Sequence, residues 1–198
     1  MRRQLVVGLR MTIALVVLLG LVYPLAVTAV AQVAFKDRAN GSLVNNAKGD
    51  TVGSSLIGQN FVGIDGNPDP RYFQPRPSAA GTNGYDPLAS GGSNLGPGNQ
   101  TLLDAVAQRV ARYRTLNRLD PSAVVPVDAV TASASGLDPH ISVANAKLQA
   151  SRVASARSLP VDTVFALIAK HTEGRQWGVL GERVVNVLEL NLDLDQQS

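Results

Sequence analysis

From Met11 to Phe35 the chain carries no charged side chain, and the run is bracketed by Arg2, Arg3 and Arg10 before it and Lys36, Asp37 and Arg38 after it. As a helix rising about 1.5 Å per residue it reaches ~37 Å, more than the ~30 Å of a bilayer's hydrocarbon core. The sequence therefore predicts a basic tail over 1–10, a membrane-spanning helix over 11–35 and a folded domain over 36–198. A cleaved secretory signal is the competing reading, because Ala29-Val30-Ala31 imitates a small-residue cleavage site. Against it, the apolar run exceeds the roughly 7–15 residues of a signal, and Tyr23-Pro24 interrupts it. The absence of cysteine removes a lipid-modified thiol as anchor and any disulfide as staple.

The formal net charge of +3 resides in the arginines ahead of the span, since from Lys36 onward 15 basic residues face 15 acidic ones. An electrically balanced domain argues against binding to nucleic-acid phosphates. Arg-rich flanks stay in the cytoplasm, so the N-terminus is expected there and the domain outside the plasma membrane.

Residues 36–198 suffice for one core and are short for two. Gly, Pro, Asn and Ser crowd the stretch from Gly41 to Gln100, which predicts a loop-rich first half anchored by Leu56, Ile57, Phe61, Tyr72, Phe73 and Tyr85. After Asn99, a candidate N-cap, Leu102, Leu103, Val106, Val110 and Tyr113 recur at helical steps. A second helix is expected from Ser142 to about Ser158, with Val143, Leu148 and Val153 inward and Lys147, Arg152 and Arg157 mostly outward. A third follows Ser158, with Pro160 in its first turn and Gly174 closing it. Leu188, Leu190, Leu192 and Leu194 alternate with polar residues, which predicts a half-buried strand, and Val127 to Ser133 is a second candidate strand. The fold class is thus α+β behind one transmembrane helix.

No phosphate loop, zinc-binding His-Glu-x-x-His or Gly-x-Ser-x-Gly nucleophile turn is present. His140 and His171 fall in different elements, which gives no metal set, and Asp193 and Asp195 read as one solvated strand face. No catalytic residue is assigned. One Gly-rich run, Ser90-Gly91-Gly92-Ser93-Asn94-Leu95-Gly96-Pro97-Gly98-Asn99, precedes a helix; its glycines fit an anion cradle or a tight ordered loop.

The chain contains Gly20-Leu21-Val22-Tyr23-Pro24, Ala39-Asn40-Gly41-Ser42, Gly53-Ser54-Ser55-Leu56-Ile57-Gly58-Gln59-Asn60-Phe61 and Tyr72-Phe73 with Arg76-Pro77-Ser78-Ala79. Tyr85-Asp86-Pro87, Ser90-Gly91-Gly92-Ser93-Asn94-Leu95, Val130 to Asp138, Arg152-Val153-Ala154 and Val185 to Asn191 follow. Together these stretches bear a resemblance to the C subunit of the bacterial high-affinity potassium-transporting P-type ATPase, the KdpC family. It implies a non-hydrolysing accessory subunit whose partners are a pore-forming potassium-binding subunit, a P-type ATPase subunit, a small single-helix subunit and the lipid bilayer. The chain would hold no cofactor of its own; ATP would be used by the partner and potassium would be the transported ion. The family is described as a catalytic chaperone for ATP binding, which would carry nucleotide contacts onto Ser90, Gly91, Gly92, Ser93 and Gln149.

That role conflicts with the expected orientation, because a domain outside the cell meets no ATP. The alternative from topology is a span packed on the pore subunit through Gly20, Ala26, Ala29 and Ala31, with the domain over the outer pore mouth. Acidic loop residues Asp65, Asp69 and Asp86 would then bias cations toward the entrance. The rival class is a membrane-tethered extracytoplasmic binding module or enzyme unrelated to transport.

Overall fold

The computed structural model describes residues 1–197. The chain divides into two compact units with the boundary between Leu43 and Val44.

In the first unit, helix α1 (Arg2–Ala34) is 33 residues long, long and apolar enough to cross a membrane. It starts well before the uncharged run, taking in Arg2, Arg3 and Arg10, and stops one residue short of Phe35. Its regular hydrogen bonding widens to a π turn over Leu18–Val22, immediately before Tyr23-Pro24. Proline supplies no N–H and its ring crowds the carbonyl four residues back, here that of Gly20, so the ladder loosens at this point. A single-turn helix, α2 (Lys36–Ala39), follows.

The second unit is a mixed α/β domain. Strands β1 (Leu43–Asn45) and β2 (Thr51–Ser54) form a two-stranded sheet. From there to Gln100 the one helical element is a 3-10 turn over Pro87–Ala89. Helix α3 (Gln100–Asn117) starts where Asn99 accepts a hydrogen bond from the Thr101 N–H, so the expected cap forms. Strand β3 (His140–Ser142) runs straight into helix α4 (Val143–Arg157), because Ser142 is still extended while its hydroxyl caps the Asn145 N–H. Helix α5 (Val161–Lys170) and strands β4 (Thr172–Glu173) and β5 (Val184–Asn186) come next, with helix α6 (Val187–Asp195) at the end. The three-stranded antiparallel sheet has the order β3-β5-β4, with His140 opposite Asn186 and Thr172 opposite Val185.

The core packs α4, α5 and α6 against this sheet. Ala146, Ala150 and Val153 of α4 meet Val164 and Ile168 of α5, Ile141 and Val185 of the sheet, and Val187, Leu190 and Leu194 of α6. The small alanines of α4 let its neighbour approach closely, and Phe73, from the loop-rich stretch, is fully enclosed among them.

Expectations about four segments are corrected at the level of the fold. The alternating leucines lie in helix α6, where Val187, Leu190, Asn191 and Leu194 recur at three- and four-residue steps; Leu188 and Asp193 are buried as well, while Leu192 is only half-buried. Val127 to Ser133 holds no strand; Val127–Ala129 is a 3-10 turn. Helix α5 ends at Lys170 with His171 as its C-cap, and Gly174 lies beyond β4. Arg152 points inward at 7 % exposure, because the interior of this domain is partly built of polar groups.

Candidate functional site

The segment around Phe73 has no neighbouring strand, and its backbone groups are satisfied by side-chain amides instead. The Asn191 amide of α6 accepts from the Phe73 N–H at 2.9 Å and donates to the Phe73 carbonyl at 2.9 Å. One residue on, Gln149 of α4 does the same for Gln74, accepting from its N–H at 2.8 Å and donating to its carbonyl at 3.1 Å. Consecutive residues of an extended chain direct their backbone groups to opposite sides, so two amides from two helices are needed.

Arg152, one turn beyond Gln149, completes the clamp. Its Nη1 donates to the carbonyls of Pro70 at 2.6 Å and Tyr72 at 2.9 Å, its Nε to Asn117 Oδ1 at 2.9 Å and its Nη2 to Gln149 Oε1 at 2.8 Å. Oxygen dipoles thus receive this guanidinium, and burial pushes its pKa down to about 10. Asn145, Gln149 and Arg152 stand at i, i+4 and i+7 on α4, a polar stripe beside an alanine stripe; Asn145 receives the Tyr113 hydroxyl at 2.8 Å and donates to Asp128 at 2.9 Å. Sequence reasoning missed this stripe because polar residues at helical spacing read as a solvated face.

A second cluster gathers the loops. The Ser78 hydroxyl donates to the Gly136 carbonyl at 2.6 Å and accepts from the N–H groups of Ala80 and Tyr85. Arg76 pairs with Asp138 at 3.0 Å and its carbonyl takes the Tyr85 hydroxyl at 2.8 Å. Ser90 Oγ and Gly91 N–H both donate to the Ser135 carbonyl, and a side chain on Gly92 would stand 3.0 Å from the Ala134 carbonyl. Gly58 donates to Leu137, and a Cβ there would collide with the Tyr85 ring. Segments 76–92 and 133–138, far apart in sequence, form one polar loop assembly.

The sequence-expected contact residues therefore fall in two places. Ser90, Gly91 and Gly92 lie along 134–136, Ser93 is exposed next to them, and Gln149 is buried in the clamp with its amide engaged by Gln74, Asn145 and Arg152. No hydrogen-bond partner is common to the two groups among the described residues. Asp65 and Asp69 are tied to Asn67 and Arg71, and Asp86 caps the Leu88 N–H.

The two histidines are also placed. His171 Nε2 and Lys170 Nζ meet Asp193 Oδ2 at 2.8 and 2.7 Å, which overturns the solvated-face reading of Asp193. Hydrogen bonds from Lys170 and then His171 hold the Asp193 carboxyl below the usual carboxylate range. No group of acidic, His or Cys side chains able to hold a metal ion is found among the described residues.

His140 sits between Asp138 at 3.3 Å and Glu173 at 3.4 Å, and its hydrogen bond to Asp138, helped by Glu173, raises its pKa above the ordinary value despite burial. A raised folded-state pKa stabilises fully below about pH 6.5, and that contribution is lost as pH rises through the folded value. Urea midpoints should therefore fall as pH rises above about 6.5, and a His140→Asn variant should flatten this slope.

Fold and site together define a polar-clamped mixed α/β domain that follows one N-terminal helix long and apolar enough to cross a membrane. The profile of the family described as KdpC: K+-transporting ATPase, c chain, matches residues 5–196, and the chain belongs to that family. Potassium-transporting ATPase KdpC subunits are similar over nearly the full length: that of Mycobacterium tuberculosis (strain ATCC 25618 / H37Rv) is 56% identical, covering 99% of this chain and 100% of the relative. The subunit of Koribacter versatilis is 53% identical over 98% of this chain and 95% of its own. That of Variovorax paradoxus is 57% identical over 90% and 88%. The chain is thus a subunit of the potassium-transporting ATPase complex and serves potassium transport.

Proposed function

We propose that this chain is the non-hydrolysing accessory subunit of an ATP-driven potassium uptake pump, held in the plasma membrane by α1 with its N-terminus in the cytoplasm and its domain outside. The observation that carries this reading is that none of the apolar window of α1 is buried within the chain, so lipid and partner helices must cover it. Gly20, Ala26, Ala29 and Ala31 offer the small surfaces that close helix approach requires. The partners are the pore-forming subunit, the P-type ATPase subunit and the small single-helix subunit. ATP is consumed by the ATPase partner, and potassium is cargo rather than a resident ion.

The domain braces the assembly and covers the outer pore mouth. This role is preferred to that of a chaperone promoting ATP binding, because a domain outside meets no ATP and the Gln149 amide is already occupied by backbone and neighbouring side chains.

A tagged full-length chain extracted in mild detergent should bring down a large pore subunit and a P-type ATPase, and protease added to spheroplasts should digest the domain. Recovery of the chain alone would overturn the assignment. Full protection of the domain would reverse the orientation and reopen the chaperone role at Ser90, Gly91, Gly92 and Ser93.

A further inference from the structure

The chain contains two Asn-Gly pairs, Asn40-Gly41 and Asn83-Gly84, and the fold treats them differently. Before a glycine, the next backbone nitrogen reaches an asparagine's side-chain amide carbon most readily, because no Cβ stands in the way. At Asn40 both partners of that reaction are held. Asn40 Nδ2 donates to the Lys36 carbonyl at 2.8 Å and to Gln32 Oε1 at 3.4 Å, and its Oδ1 accepts from Gln32 Nε2 at 3.2 Å. The Gly41 N–H donates to the Arg38 carbonyl at 3.1 Å. At Asn83 neither partner is held. The residue is exposed in loop 81–84, and among the described residues neither its side-chain amide nor the Gly84 N–H has a hydrogen-bond partner. This peptide unit is engaged instead at its carbonyl, which accepts from Asn60 Nδ2 at 2.5 Å. A donor on that oxygen stabilises the anion left when the Gly84 N–H loses its proton, the step that creates the nucleophile.

We propose that Asn83 is a site of spontaneous covalent modification, at which the chain converts with age to isoaspartate. The deprotonated Gly84 nitrogen attacks Asn83 Cγ; a C–N bond forms and the Cγ–Nδ2 bond breaks. The proton lost from Gly84 is returned to the leaving nitrogen, which departs as ammonia. Water then opens the resulting succinimide at either carbonyl, giving aspartate or isoaspartate without any oxidant or cofactor. In the isoaspartate product the main chain runs through Cγ, longer by one methylene, and the former backbone carbonyl becomes a free carboxylate. Both changes fall on the loop assembly that joins segments 76–92 and 133–138. The Tyr85 N–H donates to Ser78 Oγ at 2.8 Å, the Tyr85 hydroxyl to the Arg76 carbonyl at 2.8 Å, and the Asp86 N–H to the Ala80 carbonyl at 3.2 Å. This bonding holds buried Tyr85 at φ +56°, a strained value for an aromatic residue. A loop closed this tightly has no slack for an inserted atom, so conversion at its exposed side pulls on the buried ring. The chemistry needs only water and is the same on either side of the membrane.

The test ages the full-length chain in detergent, in mildly alkaline buffer at physiological temperature, with a parallel sample in urea. Digests are mapped by mass spectrometry that separates aspartate from isoaspartate. In the folded chain Asn83 should convert at least about tenfold faster than Asn40, with isoaspartate the larger product, whereas in urea the two pairs should react within about threefold of each other. Aged protein should have a lower urea midpoint than fresh protein. Asn83→Gln, whose longer side chain closes a ring far more slowly, should abolish both the conversion at this position and the drift in midpoint, and leave the fresh midpoint unchanged. Conversion at Asn83 no faster than at Asn40 in the folded chain would overturn the site. A preference for Asn83 that persists undiminished in urea would assign the selectivity to flanking residues and overturn the structural argument. Full conversion with an unmoved midpoint, or a drift that survives in Asn83→Gln, would overturn the coupling to the loop assembly.

Discussion

Replacing Arg152 with methionine is expected to cost about 3–5 kcal/mol of unfolding free energy, measured by urea denaturation of the detergent-solubilised full chain. Methionine conserves much of the side-chain volume, so a cavity is not the cause. The loss comes from the carbonyls of Pro70 and Tyr72 and the side-chain oxygens of Asn117 and Gln149, all of which lose a charge-assisted donor. Unsatisfied buried acceptors cost roughly 1–3 kcal/mol each, with incomplete additivity because they share one guanidinium. Lysine should rescue only part of the loss, since one ammonium cannot reproduce the planar fork that addresses acceptors on three sides. A loss below about 1 kcal/mol for the methionine variant would mean that water or a rearranged loop replaces the clamp, and the account of segment 69–74 would fail.

Gly136→Ala is expected to be nearly as damaging, at about 2–5 kcal/mol. The residue has φ +68°, and a Cβ would stand 2.7 Å from the Gly91 carbonyl oxygen, 2.8 Å from Ala80 Cβ and 2.9 Å from Ala80 N. Backbone on two sides cannot swing away as a flexible side chain does. The matched control is Gly98→Ala, where nothing lies within 4 Å, and which should change stability by less than about 0.5 kcal/mol. Equal effects at the two glycines would show that the loop assembly around Ser78 and Ser90 is not packed as described.

The helices with caps were legible from the sequence because capping is local: Asn99 and Ser142 satisfy N–H groups two and three residues ahead, and both are readable without tertiary knowledge. Helix α6 was not. Its leucines alternate, and a period of two reads as a strand, whereas in the structure Asn186 caps the helix by accepting from the N–H of Glu189 three residues on. The buried Asn191 completed the deception, because a polar residue between leucines suggests an outward face unless something inside needs an amide. Arg152 misled for the same reason. The loop cluster was legible as residues but not as an assembly, since hydrogen bonds such as that from Ser78 to Gly136 link positions whose proximity only the folded chain creates. Trp177 gives no periodic signal, and composition does not encode its exposed, left-handed conformation.

The pairing of Phe73 and Gln74 with two side-chain amides has a dynamic corollary. Amide protons in this stretch, which by secondary structure is coil, should exchange with solvent as slowly as those of the central strand, because releasing them requires α4 and α6 to separate. Slow exchange in an apparently irregular region would thus report the cohesion of two helices.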